Sequence, residues 1–565
     1  MKKYISEIVK EVIDNYKDKQ IEIADGLKWS QFQTIKRINY YKNNKYLERS
    51  DNAIFWNLVS PRVPHFVKNI DLDTKDLYPY GEGKTNFFQT FILKLRLKKW
   101  FRDNRFAIVL NDLAEDLADY GSAAWKKVKS KEDFNMEAVD LTRIYFDPTA
   151  NRIKDANIVE LHSLSETELR KRKDAWDNVE DVIDKMVEKG KNEKEFNEAE
   201  IWEYWGEYED DDGDVKYGHY IGYGWGQDEI LLYEEEDINS KKCPYRDFHI
   251  GRYNGRWLRI GCYERCFEIQ ERANKLVNQN EKTQDIASLL LLKSKGAETI
   301  GNVLTDLESG DIIPQDLEQI GIDNRAFGNF VNELQMIENQ ADKLCNTPEV
   351  ITGEAMPSGT TFRGQATSVN AAKSAFRQIK ERVGEEVGYI LVNDVLSGIA
   401  KKWEGEVFEL TDDMEDIKQY DEALTTKMRD DIISKGMKLT PANWEKIQEQ
   451  IIKKIDKVGR KIKIPKNFFD FDYGIRMNVT GESENKQQKN DAYFNALSMV
   501  QANPAITDIP LFRQYCEDNS IKWWKLTAEQ KEEMVQTAQD MGGRPGGQPM
   551  GGGKGDRLME QVDTE

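Results

Sequence analysis

Several stretches of this sequence carry residue types at spacings that invite chemistry. Gly83-Lys84-Thr85 matches the end of a phosphate-binding loop, in which backbone amides and a lysine cradle a nucleotide. That loop needs a glycine five residues before its last one, but position 78 is Tyr, Pro79 follows, and no hydrophobic strand leads in. The reading is a polar turn. Asp210-Asp211-Asp212-Gly213-Asp214 has the acidic density of a calcium loop. In register with Gly213, however, the first ligand position is Tyr208, and the twelfth, which needs a bidentate Glu, is His219. An acidic β-turn fits better. His65, His162, His219 and His249 are widely separated and form no metal pair; Cys262 and Cys266 lie one helical turn apart with no second ligand pair nearby. Buried thiols are expected there, with no metal and no cofactor. Pro357-Ser358-Gly359 lacks the strand–turn–helix frame of a nucleophile elbow. The Trp and Tyr residues from Trp202 to Trp225 are of a type that stacks on bases, yet sheet core and inter-subunit packing are the commoner uses. Arg170–Lys173 reads as a solvated helix face. No catalytic residue is expected, and the chain reads as a non-enzyme.

The elements that position these residues follow from size and pattern. The 565 residues suggest several packed units; 39% are hydrophobic and 32% charged, with 23 Tyr, 23 Phe and 13 Trp, enough to build sizeable cores. The net charge of −20 argues against tight wrapping of duplex DNA, whose binders neutralise phosphates with basic excess. It leaves room for a channel past which DNA slides. The longest apolar run, Ile286 to Leu292, falls far short of the roughly 18–20 residues of a membrane-spanning helix. Five scattered cysteines imply no disulfide framework, which suits a reducing assembly site.

Along the chain, the N-terminus reads as an amphipathic helix with Ile5, Ile8, Val9, Val12, Ile13 and Tyr16 on one face. Asn111–Tyr120 is helical with Gly121 as its C′ residue, and a strand Ala123–Val128 follows. Further strands are expected at Ile144–Phe146 and Ile158–Leu161, then a capping box at Ser165 and Glu168 and an antiparallel meander over Ile201–Tyr233. Two helices, Gly261–Asn280 and Arg325–Cys345, flank a mixed segment punctuated by Gly296, Gly301, Gly310 and Pro314. A small-residue loop from Gly353 to Gly364 leads into a helix whose apolar positions run from Val369 to Trp403, roughly 36 residues or about 54 Å. Gly384 and Gly388 inside it suggest a kink or a close crossing. Strands are expected at Val407–Leu410 and Lys461–Phe471, helices at Asp491–Val500, Pro510–Glu517 and Thr527–Gln539, and a flexible Gly-rich tail from Met541.

The order of these parts resembles the portal proteins of tailed bacteriophages, from about Asp71 to Gln539. Four stretches carry the resemblance: Asn111–Val128, Val139–Leu169, Pro244–Gln270, and Gly353–Phe376, where a Pro-Ser-Gly-Thr loop opens the long helix. The resemblance implies an α+β portal-type fold: an α/β N-terminal wing at 1–261, stem helices at 262–280 and 325–346, and a clip at 281–324. It further implies a tunnel loop at 347–363, a long kinked wing helix and wing return at 364–484, a helical crown at 485–540, and a disordered tail at 541–565.

By the same resemblance the chain is a structural subunit of a dodecameric head-to-tail connector at one capsid vertex. Viral DNA is packaged and ejected through it without sequence recognition. The implied partners are the major capsid protein, the terminase large subunit and an adaptor or head-completion protein, in the virion and, during assembly, in the host cytoplasm, with no membrane. Ser358, Thr360, Thr361, Arg363 and Gln365 are the candidates to face DNA. Gly384 and Gly388 are placed at the long-helix kink, and Phe267, Phe330, Leu334 and Ile337 at the packing between subunits. The rivals are another neck or adaptor component, and a packaging NTPase, which needs the Walker loop and the nuclease carboxylate cluster that are lacking here.

Overall fold

The structure, a computed structural model, describes most of residues 4–477. Outside the description are 47–52, 82–86, 130–133, 193–197, 211–212, 253–254, 289–291, 295–316, 320–324, 347–361, most of 398–460, 465, 471 and everything from 478 on. The chain divides into two units, Met1–Val479 and Thr480–Glu565; the described residues belong to the first. The Gly83-Lys84-Thr85 turn, the expected crown and tail, and most of the expected clip therefore lie outside the described residues.

The apolar stripe at the N-terminus makes helix α1 (Ile5–Asp18), with Val9, Ile13 and Tyr16 buried. A short hairpin of β1 (Ile21–Ala24) and β2 (Leu27–Trp29) leads to α2 (Gln31–Lys42), whose N-cap Ser30 accepts from the Gln33 N–H. Next come α3 (Val63–Ile70), β3 (Leu77–Gly81), α4 (Phe87–Asp103) and α5 (Phe106–Tyr120). Gly121 ends α5 at φ +75°, as its C′ placement requires.

Alternation of period two then takes over. The strands are β4 (Ser122–Lys129), β5 (Phe134–Ala138), β6 (Ile144–Tyr145) and β7 (Ile158–Ser165), followed by helices α6 (Glu166–Lys171) and α7 (Val179–Asn192). The capping box forms with both of its reciprocal bonds. After α7 come β8 (Glu198–Glu209), β9 (Val215–Tyr223), β10 (Ile230–Glu235) and β11 (Tyr245–His249). The expected meander is β8–β9–β10, within a five-stranded antiparallel sheet of order β10-β9-β8-β7-β6; β11, β4 and β5 form a second sheet. One face of the larger sheet packs Ala199, Ile201 and Ile221 against Leu169, Val182 and Ile183 of α6 and α7. The other packs Trp202, Tyr204 and Tyr220 against α1. Most of the Trp202–Trp225 aromatics are therefore spent on core, and Trp225 alone of the large exposed ones remains 42% accessible.

The rest of the described unit is mainly helical. The expected single helix from Gly261 is two, α8 (Cys262–Arg265) and α9 (Phe267–Ser288), interrupted at Cys266, and α9 runs eight residues past the expected clip boundary. The short strands β12 (Leu292–Ser294) and β13 (Leu317–Gln319) pair with each other before α10 (Arg325–Leu344). Helix α11 (Phe362–Ile390) begins two residues before the expected loop boundary and has 29 residues; its α geometry gives way to a π turn over Leu391–Leu396. Strands β14 (Val407–Glu409) and β15 (Lys461–Lys463) pair, and β16 (Tyr473–Met477) pairs with β3. The largest core joins α2–α5, the three-stranded sheet, α8–α10 and α11.

Candidate functional site

The expected DNA-facing residues Ser358, Thr360 and Thr361 lie outside the described residues, and Arg363 and Gln365 fall in the first turn of α11, with side chains that are not described. What the structure does describe is how the two helices flanking 347–361 are held. Arg265 donates to the Leu344 carbonyl, and Arg272 pairs with Glu333. Rising numbers along α8 and α9 thus meet falling numbers on α10, so α9 and α10 run antiparallel. Arg62, the residue before α3, grips α10 through Asp342 at 2.6 Å and the Glu338 carbonyl at 3.1 Å. One turn on, Phe66 meets Phe376 of α11 edge to face, with centroids 5.1 Å apart. A single short helix therefore touches both of the helices that flank 347–361.

Helix α9 holds a second device. Gln270, Asn274 and Asn278 recur every four residues, so their amides form a row along one face. The backbone N–H groups of Leu58, Trp56 and Ile54 donate to them at 3.1, 2.9 and 3.0 Å, while Gln270 and Asn278 donate back to the Trp56 and Ile54 carbonyls. Two strand residues advance about 6.8 Å and four helix residues about 6.0 Å, so the two repeats nearly match. The side chains act as a surrogate strand for an extended segment. An amide row at i, i+4, i+8 is legible in sequence, but its partner is more than 200 residues away.

The expected subunit-packing residues are divided in their use. Phe267 packs on Tyr41 with centroids 5.6 Å apart and under the Arg37 guanidinium at 4.2 Å. Ile337 is buried in the main core. Both are already engaged within the chain, because the foot of the helical pair sits on the body. Phe330 and Leu334 are half-buried, and among the described side chains of α10 the exposed apolar residues are Val331 and Met336, 47% and 71% accessible.

Gly384 and Gly388 mark a close crossing. A Cβ on Gly384 would stand 2.2 Å from the Met477 sulfur, and one on Gly388 would stand 2.7 Å from the Ile475 carbonyl oxygen of β16. The α-helix runs on through both glycines; departure from α geometry comes at Leu391, beyond the expected kink. There Asp394 takes a bidentate ion pair from Arg246 of β11, at 2.7 and 2.8 Å, and its carbonyl accepts from Lys127 of β4. Gly388→Ala should cost about 1–3 kcal/mol because backbone must move, and Gly384→Ala less because a Met side chain can turn away. Urea midpoints of the two variants check the order; equal losses would contradict it.

The larger surprise is a buried charge cluster between the sheets. Lys126 Nζ sits 2.6 Å from Glu160 Oε2 and 2.5 Å from Glu203 Oε2. His162 and His219 reach Glu203 at 3.1 Å each, Trp205 donates to it at 2.8 Å, and Tyr245 donates to Glu160 at 2.7 Å. Two histidines that sequence left apart are thus brought to one carboxylate. The donor atoms of Glu160, His162 and Glu203 lie within 4.8 Å of one another, the grouping a metal ion needs. The Lys126 ammonium already lies against both carboxylates and supplies the positive charge. Burial alone would raise the Glu203 carboxyl, but Lys126, with hydrogen bonds from His162 and His219, outweighs it and holds it well below the usual range. A folded-state pKa below the unfolded one gives stability that is present above the ordinary value of 4.5 and lost as pH falls through the folded one. Denaturant midpoints measured from pH 7 down to pH 3 should therefore fall steadily below 4.5, and Glu203→Gln should flatten that limb.

A serine, a histidine and an aspartate also line up: Ser122 Oγ lies 2.9 Å from His249 Nδ1, and His249 Nε2 lies 2.9 Å from Asp247 Oδ2. The residue types are those of a hydrolytic triad, but the ring is reversed, with Ser122 on Nδ1 and Asp247 on Nε2. Ser122 also has no exposed surface, and its Oγ already accepts from the Arg259 N–H at 2.9 Å. Burial also lowers the His249 pKa, keeping the ring neutral. With no face for a substrate, the trio ties β4 and β11 to the 257–259 segment.

No family model matches the chain, and no curated protein does. Among solved structures the chain is similar to the neck of an empty gene transfer agent particle computed with C6 symmetry, at 8% identity and TM-score 0.34, over 67% of this chain and 84% of that one. It is also similar to a chain in the virion of a native gene transfer agent particle, at 9% identity and TM-score 0.33, over 69% and 86%. The neck of the native particle computed with C12 symmetry gives 9% and 0.32, over 66% and 88%.

Proposed function

We propose that the chain is a portal-type structural subunit and not an enzyme: a homo-oligomeric, dodecameric ring at the head–tail junction of a phage-like particle, through which double-stranded DNA passes. The observation that carries this reading is the antiparallel pair α9–α10 leading across 347–361 into the 29-residue α11. It takes the order that the sequence segments gave it. Val331 and Met336, exposed on α10, are of the kind that a neighbouring copy covers in a heterologous ring that closes. The net charge of −20 per copy disfavours adhesion of DNA to the channel wall. Docking of a packaging motor and then of head-completion proteins at the exposed end of the ring completes the proposal.

Light scattering and negative-stain images of the full chain test it. A rotationally symmetric ring with a central channel is expected. Monomers at every concentration, or open filaments, would overturn it, and ATP hydrolysis by the purified chain would favour a packaging motor instead.

A further inference from the structure

Three cysteines that the sequence scatters meet at the foot of the helical pair. Cys262 opens α8, Cys266 lies between α8 and α9, and Cys345 follows the last residue of α10. Their exposures are 1%, 0% and 0%. The sulfurs of Cys266 and Cys345 are 3.6 Å apart, a contact that a disulfide would close to about 2.0 Å. Arg62 and Arg265, each already bonded to α10, bring two guanidiniums to the same place. Donation from the Cys262 and Cys266 thiols, with these cations beside it, holds the Cys345 thiol well below the ordinary thiol range. The bond to Cys345 and burial push Cys266 the other way.

We propose that Cys345 and Cys266 are a peroxide-reactive pair, a nucleophilic thiolate and its resolving thiol, that closes an intramolecular disulfide across the foot of α9 and α10. The Cys345 thiolate attacks one oxygen of hydrogen peroxide; the O–O bond breaks, and hydroxide leaves, taking up a proton to become water. The Cys266 sulfur then attacks the Cys345 sulfenic acid; the S–O bond breaks, and the hydroxyl departs with the Cys266 proton as a second water. Two electrons pass from the two sulfurs to one peroxide. Because both sulfurs are sealed from solvent, a small peroxide is the fitting oxidant, whereas a tripeptide disulfide lacks access. Cys262 and Cys266 both donate to Cys345, and the 3.6 Å contact between the Cys266 and Cys345 sulfurs makes Cys266 the proposed partner. The proposal does not depend on the ring.

Trypsin separates the three cysteines, onto Ile260–Arg265, Cys266–Arg272 and Leu344–Arg363, so non-reducing peptide mapping reads the pairing directly. The folded full chain is treated with hydrogen peroxide at doses that convert exposed Met336 to its sulfoxide, an internal gauge of exposure. The expected product joins Cys266–Arg272 to Leu344–Arg363. In C345S, Cys266 should be oxidised at least about tenfold less; in C266S, dimedone should trap Cys345 as the sulfenic acid. Circular dichroism melts establish that the variants are folded, and the wild-type map stands without them. A free Cys345 thiol once Met336 is oxidised, a bond mainly to Cys262, or direct passage to the sulfinic acid would overturn the proposal.

Discussion

Lys126→Met is expected to destabilise the described unit by about 3–5 kcal/mol, the cost of leaving a buried charge without its partner. Both carboxylates would lose their ammonium while remaining behind side-chain walls: Lys126, Glu160 and Glu203 side chains are only 14%, 12% and 10% exposed. The attraction of the intact cluster is offset in part by the desolvation of three ions, so the asymmetry matters more than the sum. Lys126→Met combined with Glu160→Gln and Glu203→Gln should recover much of the loss, since no uncompensated charge then remains. Guanidinium unfolding of the single and triple variants decides this. If the single substitution cost no more than a surface change, within about 0.5 kcal/mol, the cluster would not be buried as described.

The second large effect is expected at Arg62. Its guanidinium spans Asp342 and the carbonyls of Leu58 and Glu338, with the side chain 14% exposed. Arg62→Ala should cost about 3 kcal/mol, the lower end of the range for a broken buried pair because Asp342 keeps some solvent. Arg62→Lys should rescue only part of it, since an ammonium cannot reproduce the planar fork that serves several acceptors at once. Hydrogen exchange locates the damage: faster exchange is expected in the last turns of α10, while β7–β9 stay protected. Uniform acceleration across the unit would instead mean that Arg62 acts on global stability and not on the attachment of the helical pair.

Much of the local structure was legible in the sequence. The capping box at Ser165 and Glu168, the Gly121 stop, the Trp- and Tyr-rich meander and the two helices around the insertion all depend on contacts a few residues apart or on a repeat of two or 3.6. The long-helix glycines were half legible. Two small residues at i, i+4 signal either a bend or a near neighbour, and only β16, about ninety residues on, supplies the neighbour. The break at Cys266 and the π turn at Leu391 had no sequence signature, because the apolar repeat continues through both.

By itself, then, the sequence determined the α+β class, the order of the described elements and the apolar faces they must bury. Only the tertiary structure decided which polar residues meet. Lys126, Glu160, Glu203, His162 and His219 come from four strands; Cys266 and Cys345 are separated by the whole insertion; the amides of α9 find a backbone more than 200 residues away. The reason is physical. Periodicity and propensity are local properties, whereas a buried charge or thiol acquires its partner and its altered acidity from whichever strands and helices the burial of apolar surface brings alongside it.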